Sequence, residues 1–320
     1  FIKLAPNGSL EGDDWISIID FVHKIELFEH NGSTNSVLHF EHWAENANVG
    51  TYRVHGQSVI YRVIEAALRA GYRSFDTAAV YRNEEAIGLA FKSLLPKYNL
   101  KREDIFLTTK LDPSEHGKGK TTKAVHESLE KLGTSYLDLY LIHWPGVARL
   151  PVISPQNAVL RAETWQELVS LHKKGILKAI GVSNYTIKHL KELLSNSGSV
   201  VPAVNQVEYH PHYPQPELLK FCQEQGILVQ AYCSLGGSSD KLLLEDPTVI
   251  SIAKKLSKTP AQLLLRWALQ QGIGIIPKSV SPERIASNFL LDFNIPDSDI
   301  NSLNNLSVRE KYAWDPNQVL

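Results

Sequence analysis

Four polar side chains stand at the ends of short apolar runs. Asp76 and Tyr81 lie in Ser74-Phe75-Asp76-Thr77-Ala78-Ala79-Val80-Tyr81, Lys110 follows Phe106-Leu107-Thr108-Thr109, and His143 follows Tyr140-Leu141-Ile142. Runs rich in Phe, Ile, Leu and Tyr read as buried strands. In a parallel barrel, side chains just past the strand ends converge on one face. A Tyr, a Lys, an Asp and a His meeting there can deliver a proton to a carbonyl oxygen. That is half of a carbonyl reduction; the other half, a hydride, has to come from a cofactor. Each residue alone has a plainer role: Asp76 a helix cap, Tyr81 a packed aromatic, Lys110 a solvated strand end, His143 a satisfied core histidine. The set, not any member, points to chemistry.

The elements that must position them alternate from about residue 50 onward. The pattern predicts helices over 57–70, 83–95, 121–132, 161–174, 187–194, 215–225, 247–256, 260–271 and 282–291. Gly71, Gly133, Gly175 and Gly226 supply glycine stops after four of them. Strands are expected over 72–75, 104–109, 137–142, 179–182, 203–207, 227–231 and 274–276. Thr259-Pro260-Ala261-Gln262 reads as a capping box with proline at the first helical position, and Ser281 as a cap. Seven strand-helix units follow, and an eighth strand is required just before Gly50-Thr51-Tyr52. Eight such units close into an α/β fold, the (β/α)8 TIM barrel. The rival, an open dinucleotide-binding sheet, needs Gly-x-Gly-x-x-Gly after a strand. Its nearest approach, Gly272-Ile273-Gly274-Ile275-Ile276-Pro277, lacks the last glycine.

The chain has 320 residues, 43% hydrophobic, ample for one large core. With 33 basic and 34 acidic residues the net charge is -1, and no long charge block occurs, so nucleic acid and anionic membranes are not expected partners. No apolar run approaches the roughly 20 residues of a membrane helix. Cys222 and Cys233 make no disulfide framework, which suits a reducing, cytoplasmic setting. The start carries no signal-peptide pattern, and methionine is absent throughout, which points to a missing or altered N-terminus.

From residue 50 to about 306 the sequence resembles the aldo-keto reductase family. The motifs are Gly71-Tyr72-Arg73-Ser74-Phe75-Asp76-Thr77-Ala78 with Tyr81 and Asn83-Glu84; Asp138-Leu139-Tyr140-Leu141-Ile142-His143-Trp144-Pro145; Ala179-Ile180-Gly181-Val182-Ser183-Asn184-Tyr185; Asn205-Gln206-Val207-Glu208-Tyr209-His210-Pro211; and Ile275-Ile276-Pro277-Lys278-Ser279. The resemblance implies a barrel that binds NADPH without a Rossmann motif and reduces aldehydes and ketones. It places Tyr81 as general acid, its pKa lowered by Lys110, with Asp76 holding Lys110 and a neutral His143 orienting the carbonyl. It implies that Ser183, Asn184 and Gln206 bond the nicotinamide carboxamide, with Thr51 and Asp76 beside them. Tyr232 would stack on the nicotinamide ring, and Ser234 and Leu235 would line the pyrophosphate. Lys278, Ser279, Val280 and Arg284 would surround the 2′-phosphate, and Asn288 would reach the adenine. Tyr52 and Trp144 would wall the substrate pocket, with the loop 146–160 and the tail 309–320, which carries Trp314, setting specificity. The partner is a small carbonyl compound, and a monomer is expected.

The chain departs from the family at its start. Residues 1–8 resemble the family's opening hairpin, but the apolar first strand is missing, and Glu45-Asn46-Ala47-Asn48-Val49 precedes Gly50. Asn and Glu are poor strand formers. The expected division is therefore an atypical segment, 1–49, and a barrel domain, 50–320. Within the segment, His39, Glu41 and His42 are read as a solvated loop, and no metal is expected. Ser287 replaces an acidic residue that the family often has beside the adenine. Asn184-Tyr185-Thr186 matches a glycosylation acceptor by chance. The altered start keeps an alternative open: a catalytically impaired binding or structural protein of the same fold. A non-redox barrel such as a phosphate-binding isomerase fits less well, since no general-base carboxylate motif can be placed.

Overall fold

The computed structural model describes residues 47–198, 200–237 and 242–320. Eight strands pair side by side in chain order, every neighbouring pair parallel. They are β1 Asn48–Gly50, β2 Ser74–Asp76, β3 Phe106–Leu111, β4 Leu137–Ile142, β5 Leu177–Ser183, β6 Val204–Glu208, β7 Leu228–Tyr232 and β8 Gly274–Ile275. Gly50 N donates to Pro277 O, just past β8, at 3.1 Å, which draws the two ends of the sheet together into a nearly closed barrel. A side chain is not tolerated at that seam: a Cβ on Gly50 would stand 2.8 Å from Ile276 O. Helices separate the strands: α1 Gln57–Ala70, α2 Glu84–Lys97, α3 Lys120–Leu132, α4 Gln156–Lys173, α5 Ile187–Asn196 and α6 Pro216–Glu224. Then α7 Pro247–Lys255 and α8 Pro260–Leu269 follow β7, and α9 Pro282–Ser287 and α10 Asp297–Asn304 follow β8. This is the (β/α)8 barrel expected from the sequence. Among the described residues no helix is long and apolar enough to cross a membrane.

The first strand, read as missing, is present. Asn48, Val49 and Gly50 pair with Ser74, Phe75 and Asp76. Weak strand propensity is overridden by the neighbour: Val49 is buried in the core and the Ser74 hydroxyl donates to the Asn48 side chain. Residues 1–46, including the His39, Glu41 and His42 cluster, lie outside the described residues. The segment 146–160 is a loop only over its first two thirds, since α4 begins at Gln156. α10 was not expected at all; its sequence, Asp-Ser-Asp-Ile-Asn-Ser-Leu-Asn, offers two apolar residues in eight.

Alternation along each strand sorts the side chains. On β4, Tyr140 and Ile142 join the large core between sheet and helices, while Leu139 and Leu141 turn into the barrel. There they pack with Ala179 and Val204 against Phe106 and Leu228 as an apolar plug. The outer core receives Ile60 and Ile64 from α1, Ile87 and Leu94 from α2, and Leu263 and Leu264 from α8, all essentially without exposure. Each such side chain contributes about 1.5–3 kcal/mol. One step past the plug, the same inward alternation reaches Asp76, Lys110, His143, Ser183, Gln206, Gln230 and Tyr232. The plug closes the barrel's interior below them, so they gather at the carboxyl end.

Candidate active site

Asp76 ends β2, Lys110 sits one residue short of the end of β3, and His143 follows β4 directly. Tyr81 closes a single 3-10 turn, Ala79–Tyr81, and the next residue, Arg82, has a left-handed φ of 54° that turns the chain into α2. Asn83 braces this turn: its Oδ1 accepts from Thr77 Oγ1 at 2.6 Å, and its Nδ2 donates to the carbonyls of Thr51 and Val54. Lys110, fully buried, places Nζ 2.5 Å from Asp76 Oδ1 and 2.8 Å from Thr77 O. The same ammonium lies 5.2 Å from the centre of the Tyr81 ring. Tyr81 meets His143 edge to face, with ring centres 5.6 Å apart. Tyr52 covers Tyr81 from outside at 5.2 Å. The four side chains singled out in the sequence therefore occupy one site.

Burial governs their protonation. It pulls the Lys110 ammonium below the ordinary lysine value, against the opposing attraction of Asp76. His143 is pulled down to about 3 by burial and by the neighbouring Lys110 charge, so its ring is neutral at physiological pH. Its Nδ1 is buried without a hydrogen-bond partner among the described residues. Tyr81 corrects an expectation: its phenol is pushed well above the ordinary tyrosine value, first by burial and then by the Asp76 carboxylate. The Lys110 ammonium, bonded to Asp76 and Thr77, does not outweigh these effects.

Beside the tetrad lies a polar ring. Asn184 has a left-handed φ of 64°, a conformation Asn tolerates better than most residues. Its Nδ2 donates to His143 O at 2.9 Å and to Ser183 Oγ at 3.1 Å, and its Oδ1 accepts from Tyr232 Oη at 2.6 Å. Ser183 Oγ donates to Gln206 O at 2.8 Å. Gln206 Nε2 donates to Asp76 Oδ2 at 2.9 Å and to Gln230 Oε1 at 2.7 Å. Thr51 Oγ1 donates to Asp76 O at 2.9 Å. The ring thus joins the tetrad at Asp76. Gln230 was missed in the sequence; the signal was a lone amide within Leu228-Val229-Gln230-Ala231-Tyr232.

The remaining expected residues line the rim from β7 to α9. Ser234 is buried and Leu235 half-buried just past β7. Ser279 and Asn288 are buried, whereas Lys278, Val280 and Arg284 are exposed. Among the described residues neither Lys278 nor Arg284 is held in an ion pair.

The segment after α10 runs from the end of β6 to the loop after β4. Buried Glu208 accepts from Lys311 Nζ at 2.5 Å, from the Tyr312 and Ala313 amides at 2.5 and 2.9 Å, and bonds His210 Nε2 at 3.0 Å. Burial pushes the Glu208 carboxyl up, but these partners outweigh it and hold it at about 2. Farther along, Val319 O is bonded by His189 Nε2, Leu320 O accepts from Arg161 Nη1, and Leu320 N donates to Val152 O. Between the anchors, exposed Trp314 meets Trp144 edge to face at 6.4 Å.

Comparison with known proteins gives the family of the barrel that carries this site. The model of the aldo/keto reductase family matches residues 49–308. The chain belongs to the aldo/keto reductase family. It is 40% identical over 294 residues to aldehyde reductase YPR1 of Saccharomyces cerevisiae, an alignment covering 86% of this chain and 88% of that protein. It is likewise 40% identical over 279 residues to the glycerol 2-dehydrogenase (NADP(+)) of the same yeast, over 80% and 86% of the two chains. The crystal structure of MGS-M4, an aldo-keto reductase from a deep-sea metagenome library, superposes with a TM-score of 0.76 at 38% identity, covering 85% of this chain and 94% of that one. The protein is an oxidoreductase of this family, and its chemistry is carbonyl reduction.

Proposed function

We propose that the protein reduces aldehydes and ketones with NADPH, and that Tyr81 is the proton donor. The observation that carries this is the buried Lys110–Asp76 pair beneath the Tyr81 ring, with neutral His143 facing it. Gln206 Oε1, which accepts no hydrogen bond among the described residues, suits the amide of a nicotinamide carboxamide. Ser183, Asn184 and Tyr232 border the same space. Lys278 and Arg284, free of ion pairs among the described residues, suit the 2′-phosphate, with Ser279 and Val280 beside them and Asn288 toward the adenine. NADPH, when bound, supplies the hydride.

The carbonyl oxygen sits between Tyr81 Oη and a His143 N–H. Neutral His143 donates to it and fixes its orientation. As negative charge develops there, Tyr81 gives up its proton and the alcohol forms. The raised pKa keeps Tyr81 loaded at neutral pH, and transfer stays downhill because an alkoxide is far more basic than a phenolate. The tyrosinate left behind is stabilised by the Lys110 ammonium until solvent returns the proton. Tyr52, Trp144 and Trp314 wall the pocket and suit substrates with apolar bodies.

The test is NADPH oxidation with an aromatic aldehyde, run beside Tyr81→Phe. Loss of at least about 100-fold in turnover, with NADPH binding kept, is expected. Undiminished turnover in Tyr81→Phe would remove Tyr81 from its role. Absence of turnover in the unsubstituted chain, with NADPH still bound, would favour a binding protein instead.

A further inference from the structure

We infer that Gln230 is a positioning residue for the cofactor site: with Asp76 it locks the Gln206 amide so that its oxygen, not its nitrogen, faces the nicotinamide carboxamide. The inference rests on the reading above that Gln206 meets that group.

β6 and β7 set Gln206 and Gln230 directly side by side, and both point into the barrel with 2% and 1% exposure. Gln206 Nε2 has two hydrogens, and both are committed, to Asp76 Oδ2 at 2.9 Å and to Gln230 Oε1 at 2.7 Å. Turning the amide over would set its oxygen against the Asp76 carboxylate, an acceptor–acceptor contact in a buried place that turning Gln230 as well could not relieve. Only one orientation survives, and it leaves Oε1 as the free end. That oxygen can accept an N–H from a carboxamide and can donate nothing.

Asp76 alone would hold the amide by a single hydrogen bond and leave its plane free to turn about that bond. Gln230 supplies the second restraint. Its own Nε2 is buried and has no hydrogen-bond partner among the described residues. An apolar side chain would spare the fold that orphan donor. The amide at 230 therefore serves through its oxygen, and among the described residues that oxygen has one partner, Gln206. Because Asp76 also holds Lys110, the lock ties the cofactor's amide contact to the group beneath the proton donor.

The experiment measures dissociation constants by quenching of tryptophan fluorescence, for NADPH and for 2′-phospho-ADP-ribose, which lacks the nicotinamide. The proteins are the unsubstituted chain, Gln230→Met, Gln206→Ala and the double variant, with thermal melts to establish folding. Gln230→Met should weaken NADPH about three- to tenfold and leave 2′-phospho-ADP-ribose unchanged. In the Gln206→Ala background the same change should add nothing, since Gln230 acts through Gln206. If Gln230→Met does not fold, Gln230→Val, smaller and suited to a strand, carries the same expectation. Weakening by Gln206→Ala but none by Gln230→Met overturns the inference and leaves the cofactor reading standing. Equal weakening of both ligands by Gln230→Met also overturns it, since a general distortion would act on both. No effect of Gln206→Ala on NADPH removes the cofactor reading of Gln206 and the inference with it.

Discussion

Lys110 is an ammonium without exposed surface, and Asp76 Oδ1 lies 2.5 Å from it. Removing one member of such a pair leaves a buried charge alone. Lys110→Met should lower stability by about 3–5 kcal/mol and abolish turnover. Adding Asp76→Asn should recover part of the stability and none of the activity; urea unfolding and NADPH oxidation read the two. At the other end of the proposed cofactor site, Arg284→Ala should weaken NADPH about tenfold and NADH hardly at all, measured as two dissociation constants. An equal loss for both would take Arg284 off the 2′-phosphate. That these four side chains meet was legible in the sequence because each sits at or shortly past an apolar run, where alternation and strand direction dictate its placement. Gln230 was not, because one amide in a short apolar run looks like an ordinary strand residue until its neighbour on β6 is known. The direction of the Tyr81 shift was also hidden: it follows from depth of burial, which residue types do not reveal.

At the scale of elements, the strands and helices were legible to within a few residues where punctuation was strong. α1 and α3 end on Gly71 and Gly133, both in left-handed conformation as a glycine stop requires. α8 begins with the expected capping box between Thr259 and Gln262. β1 was obscured because its formation depends on β2 and on the seam with Pro277, contacts more than 20 residues away in the chain. That seam gives the element-level prediction. Gly50→Ala forces a methyl against Ile276 O and should destabilise by about 1–3 kcal/mol, seen as a lower melting temperature with a diminished near-ultraviolet signal. An unchanged melt would mean that the barrel tolerates an open seam.

For the molecule as a whole, acid is the predicted weakness. Burial holds His143 at about 3 and His116 at about 4. Both lie below the unfolded value of roughly 6.5. As pH drops below that value, the unfolded chain binds protons that the folded chain refuses, so stability falls. Glu208, held at about 2, acts the same way lower down; its contribution is present above the unfolded value of roughly 4.3 and is lost as pH falls toward 2. The urea midpoint should be lower at pH 5 than at pH 7, and equal midpoints would contradict the burial of the two histidines. The segment after α10 has a different consequence. It has no helix or strand of its own, yet Glu208 grips one end and Arg161, His189 and Val152 the other. Between these two anchors the stretch around Trp314 is exposed, and a protease should cut there. A cut there would leave both pieces in place, so the nicked protein should migrate as one species under native conditions and separate into two only in detergent.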